Sequence, residues 1–190
     1  MPTATAAENV LQEIQRGHER AIDELVIMHQ NGLYSYVLAM LRDRRDAEEV
    51  AQDVFIRAIR AIRTQYTDEQ IKTLQVRPWL LRIARNLALN RLRARKSRPI
   101  TDSLGEGVEV ADTSTLETAH HADEDERLRR GLERLEWQAR EWLELRFIND
   151  LTYAEIAALK GGTEAAARGK VFRAIASLRQ LCTEDKNVEM

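Results

Sequence analysis

The sequence predicts an all-α protein of two small helical domains joined by a flexible acidic linker, the second of them a helix-turn-helix domain. Apolar residues recur at helical spacing in both halves, and glycine and proline are scarce, with 8 and 3 among 190 residues. Between the halves lies a stretch without such spacing that is rich in Gly, Ser, Thr and acidic residues. We therefore predict an N-terminal extension at 1–18, a first domain at 19–98, a linker at 99–122, a second domain at 123–182 and a tail at 183–190.

The composition argues against several classes of protein and site. The formal net charge is −2, and no apolar run approaches the roughly 20 residues of a membrane-spanning helix, so we expect a cytoplasmic protein without membrane insertion. Cys182 is the only cysteine and the four histidines are scattered, so we expect no disulfide, no metal site and no cofactor. A Gly-rich phosphate loop and a nucleophile elbow are both absent from the sequence, so we assign no catalytic residue.

The first domain begins with a long helical pattern. Residues 1–16 are small and polar, and we expect them to be frayed. From Glu19 to Leu41 apolar residues keep helical spacing, with Asn31-Gly32 as the point where the helix would kink or divide. His29 lies on the apolar face, and we interpret it as a packed core residue rather than a ligand.

A second helix is predicted for the segment RDAEEVAQDVFIRAIRAI. Asp46 is the expected N-cap, because Glu49 follows three residues later in a capping-box-like arrangement. The residues that recur at helical spacing and should face inward are Val50, Val54, Ala58, Ala61 and Ile62. The residues that should stay exposed are Glu48, Glu49, Gln52, Asp53 and Arg57, a charged face that by itself indicates only a solvated surface.

A basic helix follows a loop or short helix that covers residues 64–75. From Arg77 to Arg98 there are eight Arg and Lys residues and no Asp or Glu, and Pro78 suits the first turn. One side of this helix should pack, through Leu80, Ile83, Ala84, Leu87 and Ala94, and the other should be polar, through Arg82, Arg85, Asn86, Arg93 and Lys96. A run of cations fits either a nucleic-acid backbone or a solvated surface. Asn86 and Asn90 favour nucleic acid, because one amide can donate to and accept from a base edge. Trp79 is interpreted as a core anchor.

The second domain carries a helix-turn-helix pattern. A helix that starts near Asp123 carries Leu128, Leu132 and Leu135 on one apolar stripe. The residues predicted to form a compact core after it are Trp137, Trp142, Leu143, Leu145, Phe147 and Ile148. Thr152 and Glu155 form a capping box, residues 160–162 make a Gly-containing turn, and Thr163 caps a longer helix. That helix should expose Glu164, Ala165, Arg168, Gly169, Lys170 and Arg173, and it should bury Val171, Ala174, Ile175 and Leu178.

These segments together resemble a known family. RDAEEVAQDVFIRAIRAI followed by RPWLLRIARNLALNRLRAR is similar to region two of bacterial RNA polymerase sigma factors of the extracytoplasmic-function group. LERLEWQAREWLELRFINDLTYAEIA and TEAAARGKVFRAIASLR are similar to region four of that group. The resemblance covers roughly residues 19–181, and it implies a subunit that directs core RNA polymerase to promoters and helps to open the DNA.

The resemblance implies a role for each segment. The residues that match the helix docking on the clamp helices of the largest polymerase subunit are Asp46, Glu49, Gln52, Asp53, Phe55 and Arg57. Those that match the helix reading and opening the minus-ten element are Arg82, Arg85, Asn86, Asn90 and Arg93, with 64–75 as the loop that captures a flipped base. Those that match the reader of the minus-thirty-five element are Thr163, Glu164, Arg168, Lys170 and Arg173. The linker matches a segment threaded toward the polymerase active centre, and the family further implies contact with the polymerase flap and inhibition by an anti-sigma factor.

The sequence also departs from the family. Lys160 and Gly162 stand where the turn is usually apolar, Ala167 stands where Val is usual, and Glu136-Trp137 replaces a common Pro. Loss of a buried Val side chain costs about 1 to 2 kcal/mol, so we expect a marginally stable second domain or a weak grip on the minus-thirty-five element.

Two other classes of function stay open at this point. The chain could be a free-standing helix-turn-helix regulator that does not bind core polymerase, with the first half serving only dimerisation or sensing. An enzyme has little support, because no catalytic motif is found. The helix at 46–62 distinguishes the first two classes, since only a polymerase subunit needs its acidic face.

Overall fold

The computed structural model describes residues 4–97 and 119–186, with side chains placed for 10–96 and 124–184. Every regular element in these ranges is helical, which confirms the predicted fold class. Within the same ranges, no helix combines the length and the apolar character that crossing a bilayer requires. The predicted linker at 99–122 lies outside the described residues, apart from the first turn of a helix that starts at Ala119.

The chain divides into two compact units, Met1–Ser103 and Leu104–Met190. The helices described in the first unit are α1 (Ala4–Gln15), α2 (Glu19–Leu41), α3 (Arg44–Thr64), α4 (Asp68–Thr73) and α5 (Val76–Ser97). Its core forms where α2, α3 and α5 pack together, around fully buried side chains such as Leu25, Tyr36, Ile62 and Leu80. Trp79 is buried, as predicted, with its ring edge-on to Tyr66 at a centroid distance of 5.5 Å.

Three predictions about the extent and capping of helices in this unit are wrong. Residues 4–15 form α1 instead of a frayed segment, because Leu11 and Ile14 are completely buried and anchor the helix. Asn31-Gly32 does not divide α2, which runs unbroken to Leu41 although glycine has a weak helix propensity. The N-cap of α3 is Asp43 rather than Asp46, since the Asp43 carboxylate accepts from the Asp46 backbone N–H at 2.9 Å.

The second unit is built from four α-helices and one π-helical turn in its described part. They are α6 (Ala119–Arg134), α7 (Trp137–Leu143), the π-helical turn Glu144–Ile148, α8 (Tyr153–Lys160) and α9 (Glu164–Lys186). Leu135, Leu143 and Ala174 form the centre of a core that Trp142 and Leu178 extend.

The predicted core of this unit is wrong at its edge. Phe147 and Ile148 are 59% and 58% exposed, and Leu128 is 45% exposed. The π-helical turn explains the first two, because the Asn149 N–H donates to the Glu144 carbonyl five residues back at 2.8 Å. One extra residue in the turn rotates Phe147 and Ile148 out of the apolar stripe that α-helical spacing would give them.

The helix-turn-helix itself forms as predicted. Thr152 Oγ1 accepts from the Glu155 N–H at 3.2 Å, and the Glu155 carboxylate accepts from the Thr152 N–H at 2.7 Å. Gly161 and Gly162 have positive φ values of 77° and 139°, which suits a tight turn. Thr163 Oγ1 accepts from the Ala166 N–H at 3.2 Å, so it caps α9.

Candidate nucleic-acid interface

The basic helix α5 has the two faces that its sequence predicts. Leu80, Leu81, Ala84 and Ala88 are buried against α2 and α3. Ala94 was expected on this face but is exposed, since it lies in the last turns of α5. The exposed residues on the opposite side are Arg82, Asn86, Asn90 and Arg93, and they follow one another at intervals of three or four residues. They form a single polar stripe along the helix, with Arg85 half-buried beside it.

A cavity of about 350 Å³ lies beside this stripe, between α3 and α5. Asn86 and Asn90 line it from α5, and Arg57 and Arg60 line it from α3. Its remaining walls are Ala61, Ile83, Leu87 and Gln65. Three side-chain amides, two guanidinium groups and apolar walls are the combination that can hold a planar base and its phosphate.

A second set of α5 cations points elsewhere. Arg91 donates to Asp46 and to Glu49, at 2.5 Å for the latter, and Arg95 donates to Asp46 and to the Leu41 carbonyl, at 2.9 Å for the latter. The hydrogen bond from Arg91, helped by the charge of Arg95, holds the pKa of Asp46 below its ordinary value. These cations join the start of α3 to the end of α5, and their charge is already balanced by carboxylates.

The residues predicted to dock on polymerase separate into exposed and inward-facing groups. Those exposed on α3 are Glu49, Gln52, Asp53 and Arg57, and Arg57 also lines the cavity. Phe55 is only 8% exposed, and the side chain of Asp46 is 14% exposed. Both inward-facing residues therefore support α3 from within the unit.

Sequence reasoning missed two residues on these surfaces. Ile56 is 58% exposed next to Gln52 and Asp53, and Arg60 lines the cavity, as does Gln65 from the predicted base-capturing segment at 64–75. Helical spacing could have found Ile56, because it lies outside the stripe that buries Val54 and Ala58. The cavity itself depends on the packing of α3 against α5, which no local pattern contains.

The first half of α9 presents the residues predicted for the second DNA contact. Those that are exposed are Thr163, Glu164, Arg168, Lys170 and Arg173. Phe172 lies among them and is 61% exposed, although the prediction did not include it. Ala167 and Val171 are buried on the opposite side and hold α9 against the core.

Together these features define a class of protein: a helical DNA-binding protein with a cationic, cavity-bearing unit and a helix-turn-helix unit. The family description Sigma-70 region 2 matches residues 25–98, and Sigma-70, region 4 matches residues 125–178. The RNA polymerase sigma-H factor of Pseudomonas aeruginosa is 32% identical over 183 residues, covering 92% of each chain. The ECF RNA polymerase sigma factor SigM of Bacillus subtilis is 30% identical, covering 88% of this chain and 99% of that protein.

The chain belongs to the sigma-70 family of RNA polymerase sigma factors, in its extracytoplasmic-function group. It is a transcription initiation factor that binds core RNA polymerase and directs it to promoter DNA. A solved structure of CnrH in complex with the cytosolic domain of CnrY has the same fold, with a TM-score of 0.64 and 23% identity, covering 95% of this chain and 99% of that one. Membership in this family decides against the free-standing regulator.

Proposed function

We propose that the cavity between α3 and α5 receives a base flipped out of the minus-ten element, while the stripe on α5 holds the displaced strand. Flipping a base costs a few kcal/mol of lost stacking and pairing. The amides of Asn86 and Asn90 can pair with the edge of the base, and Arg57 and Arg60 can neutralise its flanking phosphates. The volume of about 350 Å³ lies within the range of ligand pockets, about 300 to 1,000 Å³. The juxtaposition of these four side chains around one cavity carries the proposal.

The helix α9 is proposed to read the minus-thirty-five element in the major groove. The N-terminal half of a recognition helix is the part that reaches base edges. Arg168 and Lys170 can contact guanine or phosphate, and Arg173 extends the cationic surface along the backbone. Thr163 and Glu164 lie at the start of α9, where Glu164 can accept from a cytosine amino group.

The outer face of α3 is proposed to dock on the clamp helices of the largest polymerase subunit. Glu49, Gln52 and Asp53 surround the exposed side chain of Ile56, so an apolar anchor has a polar rim. Asp46 and Phe55 hold the helix in place from the interior. In the second unit, the exposed pair Phe147 and Ile148 is the corresponding apolar surface for the polymerase flap.

Regulation by an anti-sigma factor completes the proposal. CnrH, which shares this fold, has been solved in complex with the cytosolic domain of CnrY. A protein that covers the α3 face and the DNA-binding surfaces would block both partners of this chain. We propose that this sigma factor acts in the cytoplasm, without a cofactor and without catalytic residues of its own. We also propose that residues 99–122 run toward the polymerase active centre.

Run-off transcription with core polymerase on a randomised promoter library tests the proposal. The wild-type chain should select one minus-ten and one minus-thirty-five sequence. Asn86→Ala should relax selection only in the minus-ten element, and Arg168→Ala should relax it only in the minus-thirty-five element. Asn31→Ala, an exposed asparagine on α2, is the matched control and should leave both unchanged. Unaltered minus-ten selection by Asn86→Ala would refute the role of the cavity.

A further inference from the structure

The helix α1 ends against the segment that leads into the cavity. Gln15 Nε2 donates to the Tyr66 carbonyl at 2.9 Å, and Arg63 Nε donates to the Ile14 carbonyl at 3.4 Å. The two hydrogen bonds run in opposite directions between the last turn of α1 and the end of α3. These hydrogen bonds join two segments of the chain that are about 50 residues apart in the sequence, since the separations are 51 and 49 residues.

The α1 side of this contact is firmly anchored. Leu11 and Ile14 are completely buried, and Val10 is 7% exposed, so the helix is fixed by its own apolar stripe. It packs against α2, α3 and α4, and not against one neighbour alone. A side chain that projects from such a helix is a fixed donor for the backbone that it meets.

The Tyr66 side of this contact adjoins the wall of the cavity. Gln65, the preceding residue, lines the cavity together with Asn86 and Asn90. The Tyr66 ring is held edge-on by Trp79, and Thr67 starts α4 with a capping box to Gln70. The backbone at 65–66 thus has a fixed element on each side, and the bond from Gln15 holds its carbonyl between them.

We propose that Gln15 is a positioning residue for base selection: through the Tyr66 carbonyl it fixes the wall of the cavity that Gln65 forms. The inference rests on the proposed function of that cavity. A base is discriminated by polar groups held at fixed positions, and a wall that is free to shift accepts several bases almost equally. In this assignment α1 belongs to the promoter-opening apparatus, although it touches no DNA.

Holoenzyme reconstituted from core polymerase and the full chain provides the test. Its promoter sequence is first selected from the randomised library. Affinity is then measured for single-stranded non-template oligonucleotides that carry each of the four bases at every minus-ten position in turn. Gln15→Ala and the near-isosteric Gln15→Glu both remove the donor, and Gln12→Ala, a half-buried glutamine on the same helix, is the matched control.

The ratio of affinities for the preferred and the other bases should fall about 3- to 10-fold in both Gln15 variants at one position, as loss of one hydrogen bond allows. Gln12→Ala should keep the wild-type ratios, and core-polymerase affinity should be the same for all chains. Wild-type ratios in both Gln15 variants would overturn the inference, and so would an equal loss of affinity for all four bases. If the wild-type chain itself shows no base preference, the proposed function of the cavity fails first, and the inference fails with it.

Discussion

Lys160 forms an ion pair with Glu141 inside the second unit, and its ammonium lies 4.4 Å from the centroid of the Trp142 ring. The side chains of Lys160 and Glu141 are only 10% and 1% exposed. Burial of two charges is costly, and here each charge has its counterpart, with a cation–π contact added. The pair joins the last residue of α8 to the middle of α7. It therefore fixes the first helix of the helix-turn-helix at the position where a family member usually has an apolar residue.

Removal of one partner of this pair should be more harmful than removal of both. Lys160→Leu removes the ammonium that faces the buried Glu141 carboxylate, which should lower the free energy of unfolding of this unit by about 3 to 5 kcal/mol. Lys160→Leu combined with Glu141→Leu should recover most of that loss, because apolar pairs of similar volume replace buried ion pairs at little cost. In a Trp79→Phe background, urea unfolding followed by tryptophan fluorescence reports this unit, which holds Trp137 and Trp142. A double variant less stable than Lys160→Leu would contradict the argument.

The local parts of this structure follow from the sequence. The Thr152–Glu155 capping box, the glycine turn and the helix that starts at Glu164 are each encoded within a few residues, and all three were predicted, whereas the capping box of Thr67 and Gln70 was not. The inward and outward faces of α3 follow from spacing alone. The burial of Trp79 follows from its size and its place between two faces of α5.

The sequence did not predict the ion-pair partner of each charged side chain. Lys160 was expected to thin the apolar contacts of its turn, and instead it meets Glu141, 19 residues away. Asp46 was expected to cap α3 and to match a polymerase-docking residue, and it meets Arg91, 45 residues away. Such pairings depend on how helices pack, and helical spacing constrains only one helix at a time. The π-helical turn is likewise set by tertiary packing, so the exposure of Phe147 escaped prediction.

The ion pairs of Asp46 should appear in the acid stability of the first unit. A carboxyl whose pKa is lowered in the folded state stabilises that state above its ordinary value of 3.8, and the contribution is lost as pH falls through the folded value. Asp46→Asn should lower the free energy of unfolding at pH 7 by about 1 to 3 kcal/mol and flatten its pH dependence below pH 4. Asp53→Asn, an exposed carboxylate on the same helix, is the matched control. Circular dichroism during acid titration follows the unfolding of both variants. A loss of folded protein in Asp46→Asn as steep as in the wild type would disprove the assignment.

His29 should make the first unit sensitive to mild acid. Burial, with a contribution from the charge of Arg77, lowers the pKa of His29 from 6.5 to about 4. Between these values the unfolded chain binds a proton that the folded chain does not, so stability falls as pH decreases from 6.5 toward 4. The free energy of unfolding should fall by on the order of 3 kcal/mol over the full change in the pKa of His29. His29→Gln should remove this slope in urea unfolding curves measured from pH 4.5 to 7, and an unchanged slope would count against the assignment.

Asn86 and Arg82 should contribute differently to minus-ten binding. Asn86 lines the cavity, so Asn86→Ala should reduce discrimination between bases by about 1 to 3 kcal/mol and leave the salt dependence unchanged. Arg82 lies on the stripe outside the cavity, so Arg82→Ala should weaken binding to all sequences alike. The slope of log affinity against log salt concentration should become shallower by about 0.7 for a single strand. Fluorescence anisotropy of labelled non-template strands at several salt concentrations separates the two effects. Equal salt slopes for Arg82→Ala and the wild type would exclude a phosphate contact.

Gly131 lies where α6 packs tightly against α9. A Cβ atom at this position would lie 2.7 Å from Cys182 Sγ and 3.1 Å from Leu178 Cδ1, so Gly131→Ala forces a displacement inside a packed interface. Alanine by itself would favour the helix by about 1 kcal/mol, and overpacking costs about 1 to 3 kcal/mol. The net change should destabilise the second unit.

Substitution of Cys182 provides the control for the Gly131→Ala prediction. Cys182→Ala removes Sγ and its contact with the Arg127 carbonyl at 3.6 Å. In the Gly131→Ala/Cys182→Ala double variant the added methyl group occupies the space that the sulfur leaves, so the two changes should partly compensate. A double-mutant cycle measured by urea unfolding should give a stabilising coupling of about 1 kcal/mol. Strict additivity would show that the interface accommodates the new Cβ elsewhere, and that the glycine is not needed for helix contact.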